Sequence, residues 1–231
     1  MRFQRLCFSA AVATALSLSV QASNLFTNPG FETGDLTGWT VASTQGSDDG
    51  FYADNTTTTP LNGFPTVGPF AGNWYAVTDM SGLVTPETTT LTQSVTIPIG
   101  TTAVSISLEM FVNDQFGSSG TGAEVAIWAN GANTLTAAPL FVLFGPIDTA
   151  VSGGTPNPYV LYQADITGDV TAGTTYTIGV LESDANGPIN VGVDNFAVTA
   201  TSGIPEPGTM GLTGLFAAAV LAYGARRKAR A

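Results

Sequence analysis

The run Val104-Ser105-Ile106-Ser107-Leu108-Glu109-Met110-Phe111-Val112-Asn113 puts an aliphatic residue or methionine at every even position. Ser105, Ser107, Glu109, Phe111 and Asn113 take the odd positions. A period of two is strand geometry, with one face turned to a core. Shorter runs of the same kind occupy residues 95–99, 125–128 and 176–180. Between them lie turn signals: Gly100, the glycine-rich stretch 117–122, Asn130-Gly131, Thr167-Gly168-Asp169, Ala172-Gly173 and Asn186-Gly187-Pro188. No stretch from Asn24 to Ala200 has a 3.6-residue period. The spacing predicts an all-β, antiparallel β-sandwich of about ten strands.

Charge is segregated along the chain. The six basic residues are Arg2 and Arg5 at the start and Arg226, Arg227, Lys228 and Arg230 at the end. From Ser23 to Ile204 there is no Lys, Arg or His, whereas 16 of the 17 acidic residues lie there, all but Glu206. Nucleic acid and phosphate ligands need cationic partners, so both classes are excluded. A domain so acidic repels itself unless cations bind it, and calcium is the expected cation outside a cell.

The two ends read as export signals. Arg2 and Arg5 precede an apolar stretch over residues 6–20, and Val20-Gln21-Ala22 offers a cleavage site, so residues 1–22 are expected to be a signal peptide. Cys7, the single cysteine, lies within it and leaves the mature domain without a thiol. At the other end, Pro205-Glu206-Pro207 interrupts the chain before an apolar stretch over 208–225 and the cluster Arg226-Arg227-Lys228. Those 18 residues would span about 27 Å as a helix, enough for a bilayer core. The basic cluster would stay cytoplasmic. The β-sandwich ectodomain is thereby confined to 23–202, with a sorting tail over 203–231.

This tail resembles the PEP-CTERM sorting signal in three elements: Pro205, Glu206 and Pro207, one short transmembrane helix, and the basic cluster. Signal peptidase is the expected partner at residues 1–22, and the resemblance of the tail implies processing by an exosortase in a Gram-negative bacterium that makes extracellular polysaccharide. The inner membrane would be touched only in transit, before release to the cell surface or medium.

The domain carries a second resemblance. Asn28-Pro29-Gly30-Phe31-Glu32-Thr33-Gly34, followed by Gly38-Trp39, looks like the opening of galactose-binding-like and carbohydrate-binding-module jelly rolls, and Val193-Asp194-Asn195-Phe196 looks like their closing strand. The resemblance implies a structural calcium shared by Glu32 and Asp194. Independently, Val191 and Val193 share one parity and Phe196 and Val198 the other, so a β-bulge is expected at Asp194-Asn195. A bulge re-aims side chains and frees carbonyls, which suits a cation; a surface aspartate on a frayed edge is the competing reading.

Without His or Lys the domain has no general base for a nucleophilic triad, and zinc lacks its usual ligands. Carboxylate pairs of the glycosidase kind could be drawn from Asp79, Glu87, Glu109, Asp114, Glu124 and Glu182, yet no motif selects two of them. The chain is therefore expected not to be an enzyme. Sugar binding by aromatic stacking is the open alternative, with Trp128 and Trp74 as the ligand-binding residues. Trp128 opposes Val125 and Ile127 in parity; core packing is the competing reading for both tryptophans. The leading expectation is a non-catalytic surface or matrix protein, with a glycan-specific binding module as the alternative.

Overall fold

The computed structural model describes residues 21–202, except 46–48, 80–85, 116, 118–119, 152–153 and 186. The sorting residues Pro205, Glu206, Pro207, Arg226, Arg227 and Lys228 lie outside the described residues, as does nearly all of the expected signal peptide. Residues Ala22–Ser202 form one compact unit.

In chain order the strands are β1 (Gln21–Asn24), β2 (Thr40–Ser43), β3 (Gly50–Asp54), β4 (Tyr75–Asp79), β5 (Glu87–Thr96), β6 (Thr101–Asp114), β7 (Gly122–Ala129), β8 (Phe141–Ile147), β9 (Val160–Asp165), β10 (Thr175–Asp184) and β11 (Ile189–Ser202). One sheet has the order β3-β4-β11-β6-β9, with β1 also paired to β11. The second sheet has the order β2-β5-β10-β7-β8. Four antiparallel pairs nest inside one another: β4 with β11, β5 with β10, β6 with β9, and β7 with β8. That nesting is a long hairpin rolled upon itself, the jelly-roll connectivity of a β-sandwich.

The alternating run over 104–113 is the middle of β6. Its even residues Val104, Ile106, Leu108, Met110 and Val112 enter the core, where they meet Leu91 and Val95 of β5, Val125 and Ile127 of β7, and Ile178 and Val180 of β10. Phe26, Trp39 and Phe196 close one part of this core as a ring cluster, with Trp39 stacked on Phe196 at 5.5 Å. Buried apolar area of this extent is the main term holding two sheets face to face.

The odd residue Phe111 breaks the polar face of β6 for a reason the alternation does not reveal. It joins Tyr75 and Val77 in a second, smaller cluster on the outer face of the first sheet. Gly192 makes room for it: a Cβ there would lie 2.0 Å from the Phe111 ring. The bulge expected in β11 is present. Asp194 pairs with Glu109 and Ala197 with Ser107, so one extra residue is accommodated, and Asn195 takes φ 49°. Val193 before it and Phe196 after it both reach the core in consequence.

Candidate functional site

The odd residues of β6 and β9 define a lane on the outer face of the first sheet. Across the β6–β9 pair, Ser105 stands opposite Asp165, Ser107 opposite Gln163, and Glu109 opposite Leu161. On the other flank of β6, Thr199 and Ala197 of β11 pair with Ser105 and Ser107. Small side chains on β6 and β11 leave a shallow trough beside the longer ones of β9. A depression lined by Ser105, Ser107, Gln163 and Asp165 lies along it.

The trough is polar and partly preorganised. Oδ1 of Asp165 accepts the Thr167 backbone N–H at 2.9 Å and also the Thr167 hydroxyl. That hydroxyl, and then the backbone N–H, hold the Asp165 carboxyl below the usual carboxylate range. Glu109 continues the lane, its carboxyl pushed up by burial. Beyond it the surface turns apolar. Tyr159 packs edge-on against Phe111 at 5.1 Å and Phe70 at 5.4 Å, and its hydroxyl donates to the Gly68 carbonyl at 2.9 Å. Phe70 is 50% exposed and Leu161 52%. The site thus offers hydroxyl, amide and carboxylate groups at one end and exposed apolar side chains at the other. The sequence reading named none of Ser105, Ser107, Gln163, Asp165, Leu161 and Phe70 as site residues; the small residues on the outward parity of β6 were the available signal.

Glu32 and Asp194 are brought to one loop. Oδ2 of Asp194 accepts the backbone N–H groups of Phe70 and Ala71, each at 3.0 Å, and Oδ1 accepts that of Asn195 at 2.7 Å. Glu32 accepts from Asn73 at 3.0 and 3.1 Å and from Trp74 at 3.2 Å. Burial pushes the Asp194 carboxyl up against the lowering effect of these N–H groups, and Glu32 adds to the rise. Gly30 faces the pair: a Cβ there would lie 3.6 Å from both Asp194 Oδ1 and Asn195 Oδ1. Among the described residues no group of three or more acidic, His or Cys side chains is placed to hold a metal ion. Asp194 Oδ1 and Asn195 Oδ1 are the side-chain oxygens beside Gly30, while the Glu32 carboxylate lies against Gly72; oxygen donors of this kind are the chemistry that a calcium ion takes.

The two tryptophans fare differently. Trp128 does face away from the inter-sheet core, as its parity requires, but it is 0% exposed. The segment 130–140 folds over it: its Nε1 donates to the Ala137 carbonyl at 3.2 Å, and Thr134 hydrogen-bonds Thr90 beside it at 2.9 Å. No ring face is left for a sugar, so the ligand-binding expectation for Trp128 is corrected to packing. Trp74 is half-buried and rests against the main core. Gly34 permits this, since a Cβ there would come within 3.1 Å of the indole.

No family model matches the chain, and no curated protein matches it. Among solved structures, TmCBM61 in complex with beta-1,4-galactotriose is 13% identical, covering 76% of this chain and 97% of its own, at a TM-score of 0.49. The K3 cleaved adhesin domain of Lys-gingipain from Porphyromonas gingivalis is 16% identical, with 79% and 99% covered and a TM-score of 0.49. A CBM22-1 xylan-binding domain from Paenibacillus barcinonensis is 14% identical, with 80% and 98% covered and a TM-score of 0.47.

Proposed function

We propose that this domain is a non-catalytic carbohydrate-binding module that takes a neutral glycan along the outer face of the first sheet. The observation that supports the reading is the composition of the trough. Ser105, Ser107, Gln163 and Asp165 supply donors and acceptors for sugar hydroxyls, while Leu161 and Phe70 offer apolar surface for C–H faces. The 23–204 stretch contains no cationic side chain, so uronate, sulfated and phosphorylated glycans would meet uncompensated repulsion. Binding of neutral and acidic glycan arrays to the mature protein tests this. Gln163→Ala and Asp165→Ala should each weaken binding about tenfold, the loss of roughly one hydrogen bond to a charged or buried partner. Equal binding by wild type and both variants would discard the trough.

The reading includes calcium as a structural ion held by Glu32 and Asp194, with the Asn195 amide oxygen beside them. Such an ion would offset the two carboxylates and stiffen the loop that presents Phe70. The reading also takes the domain to belong to an exported protein: signal peptidase would remove residues 1–22, and an exosortase would act near Pro205-Glu206-Pro207 while the apolar stretch 208–225 and the Arg226-Arg227-Lys228 cluster hold the chain at the inner membrane. The glycan would then belong to the extracellular polysaccharide of a Gram-negative cell. Replacing Pro205 and Pro207 with alanine and following the protein by cell fractionation tests the sorting; unchanged surface delivery would remove that part of the proposal.

A further inference from the structure

Glu87, Glu182 and Asp184 stand at the end of the sandwich opposite the trough. On β10, Glu182 and Asp184 follow the core residues Ile178 and Val180 on the same parity, and Asp184 pairs with Glu87, which shares the parity of the core residues Leu91 and Val95 on β5. Their carboxyls therefore point between the sheets. All three are buried, at 4%, 3% and 1% exposure respectively. Ser43 of β2 donates its hydroxyl to Glu87 Oε1 at 2.9 Å, while Glu87 Oε2 is buried with no hydrogen-bond partner. Thr78, on β4 of the other sheet, hydrogen-bonds Glu182.

The Gly187 backbone N–H donates to Asp184 Oδ1 at 2.8 Å, but among the described residues the charged groups near the cluster are further carboxylates. Asp49 just before β3 adds like charge against Glu87; Asp79 on β4 has the outward parity of Tyr75 and Val77 and accepts the Leu61 and Asn62 N–H groups, yet its charge still acts on Glu182; Asp114 at the end of β6 lies at the same end of the sandwich. Ala123 of β7, opposite Glu182, is apolar, and β11 contributes Ile189 and Val191. No Lys, Arg or His exists between Ser23 and Ile204. Burying several ionised carboxylates together without a cation is among the costliest arrangements in a protein, and protonation is the way out.

We infer that this end of the sandwich is a proton-operated clamp. With protons on Glu182 and Glu87 the sheets close over neutral carboxylic acids; when those protons leave, like charges push the start of β5 and the end of β10 away from β4. The direction agrees with the environment: burial first, then Glu87, Asp184 and Asp79, hold the Glu182 carboxyl well above its ordinary range. A carboxyl whose folded value is raised lends stability fully below its unfolded value near 4.3, and that stability is lost as pH rises through the folded value.

The test is thermal melting of the mature protein from pH 4.5 to 8, with hydrogen exchange at both extremes. The melting midpoint should fall with rising pH, and exchange at pH 8 should quicken at residues 87–89 and 182–184 but not at the trough. Glu182→Gln should raise the midpoint at pH 8 by roughly 4 °C and flatten the pH dependence. Glu87→Gln should do so in smaller measure, and it carries the test if the first variant does not fold. Glu124→Gln, on the outward parity of β7, should leave the slope as it is. General repulsion among 16 acids also lowers stability with pH, but salt screens it, so the comparison is made at high salt. Equal slopes in wild type, E182Q and E87Q, or exchange that quickens evenly over the domain, would overturn the clamp.

Discussion

The carboxylate of Asp194 holds the backbone of Phe70: its Oδ2 accepts the Phe70 N–H at 3.0 Å across 124 residues of chain. The same oxygen takes the Ala71 N–H, so one side chain on a strand bulge fixes the loop that presents the most exposed ring beside the trough. Asp194→Ala should cost about 2–4 kcal/mol, since three N–H groups lose their acceptor. Urea melting measures that cost. If a weakened glycan affinity accompanies it while Gln163 and Asp165 are intact, the loop contributes to binding; unchanged stability would show that other contacts hold the loop.

Calcium should raise the melting midpoint of the wild-type protein and leave that of Asp194→Asn or Glu32→Gln nearly unmoved. At a hundredfold excess over its dissociation constant an ion stabilises by about 2.7 kcal/mol. Differential scanning calorimetry with and without chelator reads this directly. A midpoint indifferent to chelation removes the ion from the proposal.

Trp128→Ala should destabilise the domain by about 3–5 kcal/mol, the cost of emptying a large buried site. Trp128→Phe should cost less, losing the Nε1 bond to Ala137 and part of the volume. Neither substitution should change the intrinsic affinity for glycan in molecules that remain folded, which isothermal titration below the melting range checks. A selective loss of affinity would return Trp128 to the binding surface.

Gly192→Ala should be strongly unfavourable although a single methyl is added. The new Cβ would sit 2.0 Å from the Phe111 ring, which is itself wedged between Tyr75 and Tyr159. A cost of about 1–3 kcal/mol is expected for such overpacking. The double variant Gly192→Ala, Phe111→Leu should recover part of it; no recovery would place the strain elsewhere.

Ser107→Trp should block the trough while leaving stability within about 0.5 kcal/mol, as an outward substitution on a strand usually does. Retained glycan binding in that variant would move the site off this face.

Several elements were legible in the sequence because they obey local rules. The parity of β6 follows from its period of two, and the bulge at Asp194-Asn195 follows from a parity that changes within one strand. Phe111 and Trp128 were not legible. Both sit at outward positions, and whether an outward side chain meets water depends on which distant segment crosses it. Phe111 is covered by Tyr159 and the Gly192 gap, and Trp128 by the segment 130–140. The β1 and β8 strands were also hidden, since strands with little alternation carry a weak signal.

The sequence by itself determined that the folding portion is β-rich and carries no positive side chain, because periodicity and ionisable groups are properties of the chain alone. Tertiary structure alone decided which carboxylates differ in kind. Asp165 lies in an open trough and keeps its charge against a threonine, while Glu182 is enclosed between the sheets with Glu87 and Asp184 for neighbours. The physical reason is that the cost of a charge is set by its surroundings in space, and those surroundings come from strands far apart in the chain.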